Sequence, residues 1–106
     1  MRIPDVDNLI IYRNTDFVHQ LDFETLNISS YTFVSKLRDK DNNLIATFTI
    51  TKPSNHIIQL YLDKDTTQNL ELETYYYDII QTHNSLSEII VKGTITVENT
   101  ITNYEA

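Results

Sequence analysis

Three histidines are the side chains of this sequence best suited to bind a metal ion or to move protons. They are His19, His56 and His83, and their spacing matches no zinc-binding pattern. The first two fall within predicted strands and the third within a predicted turn. We therefore predict surface histidines and expect no metal site.

Two pairs of aspartates could in principle bind calcium, which takes six or more oxygen ligands. Asp39 and Asp41 form one pair, and Asp63 and Asp65 form the other. An EF-hand loop also needs a glycine at its bend and a glutamate at its end, and neither is present. Because Asp readily bonds its own backbone, we interpret both pairs as turn formers.

The residues that usually support covalent catalysis and cofactor binding are missing. Ser29 and Ser30 have no His or Asp at a known nucleophile spacing. The chain has one glycine, too few for a glycine-rich phosphate loop, and no cysteine, which excludes disulfides and thiolate metal sites. We expect a protein that is not an enzyme and uses no cofactor.

Composition narrows the class of partner. The chain has 106 residues, a net charge of −7 and 41% hydrophobic residues, which fits one acidic domain with its own core. The Lys and Arg residues are scattered in the sequence, with Arg38 and Lys40 the nearest to a cluster, so we expect no nucleic-acid partner. No apolar run of about 18 residues exists, and residues 1–8 lack the apolar core of a secretory signal. We expect no membrane association.

Alternating apolar and polar residues predict the β-strands that would position all of these side chains. The cleanest alternation runs from Leu44 to Thr51, where Leu44, Ala46, Phe48 and Ile50 form the apolar face. Turn signals recur at intervals of about 8–12 residues, and residues 65–68 can form one helical turn. The predicted strands are 9–12, 17–23, 31–38, 44–51, 56–62, 74–82 and 86–98.

Seven strands with short loops predict a single all-β domain over residues 1–106, with short N- and C-terminal arms. The predicted fold class is an antiparallel immunoglobulin-like β-sandwich, and a closed barrel is the alternative. Gly93, in the last strand, indicates a bulge or a close backbone approach. Tyr75 and Tyr77 stand where a tyrosine hydroxyl can bond the preceding loop, as in a tyrosine corner, although Tyr also simply favours strands.

The ends of the chain and the edges of the sheets are the predicted binding features. Residues 1–8 and 99–106 extend beyond the strands, and such arms often lie on a neighbour in an assembly. The edge strands are not obviously guarded by Pro or inward Lys, so we predict pairing with a partner there. The predicted interface residues are Leu9, Ile10, Ile11, Tyr12, Thr100, Ile101 and Tyr104.

Exposed aromatic residues suggest a second kind of binding surface. Tyr12, Tyr31, Tyr76 and Tyr104 could stack on sugar rings. Carbohydrate-binding modules often use Trp for this purpose, and the chain has none. Core filling or a protein interface is therefore favoured, since Tyr anchors interfaces well.

The order and spacing of eight short segments carry a resemblance to a known family. The segments are residues 13–17, 26–33, 36–39, 46–50, 58–62, 66–70, 75–79 and 92–97. Together, over about residues 9–102, they resemble the immunoglobulin-like N-terminal domain of upper baseplate proteins of tailed bacteriophages and related small phage virion proteins. The family usually has glycines near the positions of Asn43 and Glu73, and this departure affects turn types rather than topology.

This resemblance implies a non-enzymatic structural protein of the virion, placed in the tail, baseplate or neck, or decorating the head. Its expected partners are other virion proteins and copies of itself, as a homo-oligomer that is assembled in the host cytoplasm. The family's larger members continue into coiled or receptor-adaptor regions, and the family has no catalytic residues to carry over. The alternative function is a glycan-binding module for host attachment.

Overall fold

The structure is a computed structural model that describes residues 4–100 of the chain. Within that range the chain forms nine strands and one helical turn. The strands are β1 (Asp5–Val6), β2 (Leu9–Tyr12), β3 (Phe17–Asp22), β4 (Thr32–Arg38), β5 (Leu44–Thr47), β6 (Thr49–Ser54), β7 (Ile57–Leu62), β8 (Thr74–His83) and β9 (Leu86–Glu98). The helical turn, α1 (Lys64–Thr67), joins β7 to β8. No helix in the described range is long and apolar enough to cross a membrane.

The strands form two sheets that pack face to face. The large sheet has the order β1-β9-β8-β4-β5, with β2 also paired to β9, and the small sheet has the order β3-β7-β6. The predicted all-β sandwich is therefore confirmed. Every pairing is antiparallel except those of β1 and β2, which run parallel to β9.

The first residues of the described range belong to the large sheet, so the prediction of an N-terminal arm is wrong for residues 5–8. The Asp7 N–H donates to the Lys92 carbonyl at 3.0 Å, and the Tyr77 hydroxyl donates to the Asp7 carbonyl at 2.8 Å. A Cβ at Gly93 would lie 2.0 Å from that same carbonyl oxygen. Gly93 thus marks a close backbone approach, the second of the two predicted roles.

The predicted strand 44–51 is two strands in different sheets. Its N-terminal part is β5 in the large sheet, and its C-terminal part is β6 in the small sheet. Phe48 lies at the crossing, is 4% exposed, and donates its N–H to the Ser35 carbonyl at 3.0 Å. The alternation continues through Phe48 because both sheets face the same core, so the pattern does not mark the crossing.

Two other predictions near this crossing are wrong. The turn predicted at residues 52–55 is displaced, since β6 continues to Ser54 and the chain turns at residues 55–56. Pro53 is tolerated because β6 is an edge strand. Leu44, predicted to face inward, is 52% exposed, because the β4–β5 register shifts beside it.

The core lies between the sheets and uses most of the residues that the alternation predicts, together with Ile28 from a loop and Ile90 beside the register shift of β8 and β9. Phe48, Leu60 and Tyr77 are at most 5% exposed. The largest fully buried apolar side chains are Ile11, Ile28, Leu37, Ile58, Leu60, Ile79, Ile90 and Ile95. Burial of this apolar surface is the main stabilising contribution to the fold.

The loop before β8 is fixed by a tyrosine hydroxyl, as predicted. Tyr75 is 3% exposed, and its hydroxyl accepts a hydrogen bond of 2.9 Å from the Glu71 N–H. Four residues separate the two, the arrangement of a tyrosine corner. The predicted helical turn is also present, one residue earlier, and the Asp63 side chain caps it by accepting from the Thr66 N–H at 2.8 Å.

Candidate functional site

The three histidines lie in separate places on the surface. His19 contacts Asp7, with 3.2 Å between Nε2 and the carboxylate oxygen, and His56 contacts Asp22 at 3.1 Å. The pKa of Asp22 is lowered, first by the hydrogen bond from the Glu24 N–H and then by His56. Within residues 4–100, no three His, Asp or Glu side chains gather where a metal ion could bind.

The first aspartate pair lies in a turn, as interpreted from the sequence, whereas in the second pair Asp63 caps α1 and Asp65 lies within α1. One Asp39 carboxylate oxygen accepts from the N–H groups of Asp41 and Asn43, each at 2.9 Å. The bond from Asn43 is the main reason that the pKa of Asp39 lies below its usual range. In the other pair, Asp63 is the helix cap described above.

One serine and one histidine that are distant in sequence come together in space. Ser30 Oγ lies 3.5 Å from Nδ1 of His83, whose ring stacks on Tyr31 with 4.0 Å between centroids. The Asn84 side-chain nitrogen lies 3.2 Å from His83 Nε2. The 3.5 Å between Ser30 and His83 is at the outer limit for a hydrogen bond, and among residues 4–100 no carboxylate lies within 4.0 Å of the His83 ring to orient it. We therefore do not interpret this pair as an activated nucleophile.

The outer face of the large sheet gathers positive charge. Four of the chain's eight Lys and Arg residues line one concavity there, namely Lys36, Arg38, Lys40 and Lys92. The prediction that these residues are scattered is wrong in three dimensions. The signal that could have found two of them is their alternate spacing, which places Lys36 and Arg38 on one side of β4, while Lys40 follows in the turn after this strand.

These cations form no ion pair within the described residues, although Asp39 and Asp78 line the same concavity. In residues 4–100, none of the four lies within 4.0 Å of a carboxylate oxygen. Lys36 and Lys92 flank Asp78 on neighbouring strands by register, and Arg38 donates to the Asn42 carbonyl at 3.1 Å. The face is thus a positive surface on a chain of net charge −7.

Exposed apolar side chains share this outer face. Val34, Ile80 and Ile89 form one row across β4, β8 and β9. Tyr76 follows on the same face of β8 and is 48% exposed, while Val6 on β1 is 69% exposed. The concavity measures about 830 Å³, and its lining includes Val6, Val34, Tyr76 and Ile80 of this group together with the four cations.

The edge residues predicted from the sequence divide into two groups. Leu9 is half-buried against the core and Ile11 is fully buried, so the side chain of Ile11 faces the core of its own chain. Ile10 and Tyr12 point outward from β2 and are 46% and 45% exposed. β2 pairs with β9 of its own chain and forms one edge of the large sheet beside β1.

The C-terminal members of the predicted interface lie at or beyond the end of the described range. Thr100 is half-buried, two residues after β9. Ile101 and Tyr104 lie outside the described residues. The structure therefore gives positions for five of the seven predicted interface residues.

An exposed loop before β8 carries negative charge, whereas the concavity is lined mainly by positive charge. We call residues 71–73, Glu71-Leu72-Glu73, the tip. Leu72 is 53% exposed, and both flanking glutamates are exposed. The Glu73 N–H donates to the Glu71 carbonyl at 2.9 Å, and the Val97 N–H donates to the Glu73 carbonyl at 3.0 Å. With the Tyr75 hydroxyl, these bonds hold the tip in one conformation.

Comparison with known proteins identifies the fold. No family model matches the chain, and no curated protein sequence matches it. Among solved structures, the titin M3 domain is similar, with a TM-score of 0.54 and 14% identity over 90% of this chain and 91% of that chain. The chain has an immunoglobulin-like fold.

A second similar structure is a family 123 glycoside hydrolase from Clostridium perfringens, described for glycolipid glycan hydrolysis. It has a TM-score of 0.54 and 14% identity, and the match covers 91% of this chain but 23% of the hydrolase. At such low identity the immunoglobulin-like likeness concerns the fold alone. Function therefore has to be argued from the surfaces described above.

Proposed function

We propose that this chain is a non-enzymatic structural protein of a bacteriophage virion, which acts by binding other virion proteins and copies of itself. The resemblance of eight ordered segments to phage baseplate domains supports the virion part of the proposal. The binding part is supported by one observation, the concentration of exposed apolar side chains on the outer face and edge of the large sheet. They are Val6, Ile10, Tyr12, Val34, Tyr76 and Ile89.

This concentration matters because scattered apolar residues are normal on a surface, whereas a shared apolar face is typical of a binding site. Ile10 and Tyr12 sit on an edge strand, where a partner can add a strand of its own. Tyr and Arg also make strong interface anchors, and Tyr76 and Arg38 are direct cross-strand neighbours. Repetition of a modest contact over many copies gives a stable assembly.

The first experiment tests whether the protein is a virion component. Particles are purified by density gradient from a lysate of cells that carry the gene, and their proteins are identified by mass spectrometry. We expect the chain in the particles at a fixed ratio to the major structural protein. Its absence from intact particles would refute the virion role.

The second experiment tests the edge and the C-terminal segment. A variant lacking residues 99–106 and the double variant Ile10→Lys/Tyr12→Lys should both fold, because they change only exposed residues or residues after β9. We expect both to be missing from particles, and Val18→Lys, an exposed position on the small sheet, to enter normally. Normal incorporation of the first two variants would count against docking through this edge.

Glycan binding for host attachment is the second candidate, and Tyr76 is the observation that favours it. Its ring is 48% exposed in the concavity, beside Thr94 and Arg38 by register. A sugar ring could stack on Tyr76 while polar neighbours bond its hydroxyls. A glycan array probed with the assembled protein checks this, with Tyr76→Ala as the control. An array without hits would exclude the candidate.

A further inference from the structure

The basic concavity and the acidic tip are two surfaces of one molecule with opposite chemistry. We propose that the tip of one copy of this chain docks in the concavity of a second copy. This inference rests on the proposed assembly function and names the surfaces through which copies of the chain meet.

Charge is the first argument for the match. Four cations, Lys36, Arg38, Lys40 and Lys92, and two carboxylates, Asp39 and Asp78, line the concavity, and none of these cations lies within 4.0 Å of a carboxylate oxygen among residues 4–100. The tip carries two exposed carboxylates, those of Glu71 and Glu73, and no ion pair within the described range. The concavity keeps an excess of positive charge, so each surface offers charges that the other can pair without breaking an ion pair of the described residues.

Apolar shape is the second argument. Leu72 projects between the two glutamates and is 53% exposed. The concavity floor holds Val34, Ile80 and the Tyr76 ring, with Asp78 between Tyr76 and Ile80 on β8 and Lys36 and Lys92 opposite Asp78 on the neighbouring strands. An apolar side chain flanked by carboxylates would thus contact apolar side chains that have cations beside them. Burial of Leu72 in a desolvated pocket would make it the anchor of the contact, with the charges at its rim setting orientation.

Rigidity is the third argument. The tip is fixed by three hydrogen bonds, from Glu71 N–H to the Tyr75 hydroxyl, from Glu73 N–H to Glu71, and from Val97 N–H to Glu73. The concavity lies on a sheet of regular strands. Neither surface has to be ordered on binding, so little conformational entropy is lost.

Charge exchange between two variants tests the proposal. Lys36→Glu/Lys92→Glu makes the concavity acidic, and Glu71→Lys/Glu73→Lys makes the tip basic. In each variant alone, tip and concavity carry like charge, so we expect self-association at least about tenfold weaker than that of the original chain. Mixed in equal amounts, the two variants restore opposite charges at both contacts, and we expect association to return. Sedimentation velocity at one fixed ionic strength measures all four samples.

The mixture also controls for folding, because misfolded variants would not regain association on mixing. Lys64→Glu, a charge reversal on α1 away from the concavity, should leave association unchanged. Leu72→Ser should weaken it without altering any charge. If the original chain stays monomeric at every concentration, the proposal is overturned, whether or not the concavity then binds a synthetic acidic peptide. Association that ignores both charge reversals overturns it equally.

These outcomes are separate from those of the virion test. Charge-dependent association in a protein that is absent from particles would refute the virion role alone. Conversely, the protein could be found in particles while its self-association is unchanged by the charge reversals. That result would refute the tip-to-concavity contact and leave the virion role intact.

Discussion

Three successive tyrosines at the start of β8 share a residue type but differ in what their hydroxyls do. Tyr75 accepts from the Glu71 N–H, and Tyr77 donates to the Asp7 carbonyl. Tyr76 points outward and makes no hydrogen bond that involves its hydroxyl within residues 4–100. Strand alternation predicts which two point inward, but it does not predict which backbone group each hydroxyl meets.

Removal of each hydroxyl should reveal this difference. We expect Tyr75→Phe and Tyr77→Phe each to lower the free energy of unfolding by about 1 kcal/mol, because each leaves a partly buried backbone group unpaired. Tyr76→Phe is the matched control and should change it by less than about 0.5 kcal/mol. Urea denaturation followed by far-ultraviolet circular dichroism measures all three. Equal losses in the three variants would contradict the assigned hydrogen bonds.

The hydroxyl of Tyr77 also predicts how stability changes in alkali. Burial, and then the negative charge of Asp7, raise the pKa of Tyr77 well above its ordinary value of 10.0. The folded state therefore holds this proton more tightly than the unfolded state does. The stability it contributes is complete below pH 10.0 and declines as the pH rises from there toward the raised pKa.

We accordingly expect the unfolding free energy of the original chain to fall as the pH rises above about 10, and that of Tyr77→Phe to fall less. Part of the decline should persist in the variant, because the pKa values of Tyr75 and Tyr61 are also raised, chiefly by burial. Urea midpoints at several pH values give the two slopes. Parallel slopes would show that Tyr77 does not ionise on unfolding.

At the scale of the strand, the alternation of apolar and polar residues predicts well where most strands lie and which face of each is buried. It predicts poorly which strands pair with each other. β2 and β9 have the predicted bounds, since turn residues flank each of them, although β9 buries two adjacent residues, Ile90 and Val91, where its register to β8 shifts. β1 was not predicted, because two exposed residues show no alternation. The crossing at Phe48 was missed for the opposite reason, since the pattern there is continuous while the sheet changes.

The crossing makes Phe48 the link between the sheets. Its ring lies 5.9 Å from that of Phe17 in the small sheet and 6.3 Å from that of Tyr77 in the large sheet. We expect Phe48→Ala to cost about 3–5 kcal/mol, because it leaves a cavity that neither sheet can fill. Ile45→Ala, at a 39% exposed position on β5, should cost less than about 1 kcal/mol. Similar costs at the two positions in urea denaturation would contradict this role for Phe48.

At the scale of the whole molecule, the sequence predicts the sandwich but not the charged concavity. The net charge of −7 gives only the total for the chain and does not show how the charges are distributed. Half of the Lys and Arg residues line one concavity. Lys92 joins Lys36 there only because β9 and β4 both flank β8, a pairing order that no local pattern specifies. The sequence does not predict the tip either, because the hydrogen bonds that fix it involve Tyr75 on β8 and Val97 on β9.

The positions of tip and concavity also bear on the symmetry of self-association. The tip ends at residue 73, β8 begins at Thr74, and Tyr76 already lines the concavity. Four extended residues span at most about 14 Å, so the two surfaces adjoin. Two copies can therefore exchange tips about a twofold axis, and each would bury its own tip in its partner. In an open head-to-tail polymer, each pair of neighbouring copies would share one tip-to-concavity contact instead of two. Every copy added would also bring a further charge of −7.

We therefore predict a closed dimer, of twice the chain mass of 12.4 kDa, as the limiting species. The second tip of a pair docks without further loss of translational freedom, which favours closure over growth. Sedimentation equilibrium at increasing concentration should approach the dimer mass and stop there. The equal mixture of charge-reversed variants should reach the same limit, because both of its contacts form only between unlike copies. A mass that keeps rising past the dimer would show instead that the tips join copies head to tail.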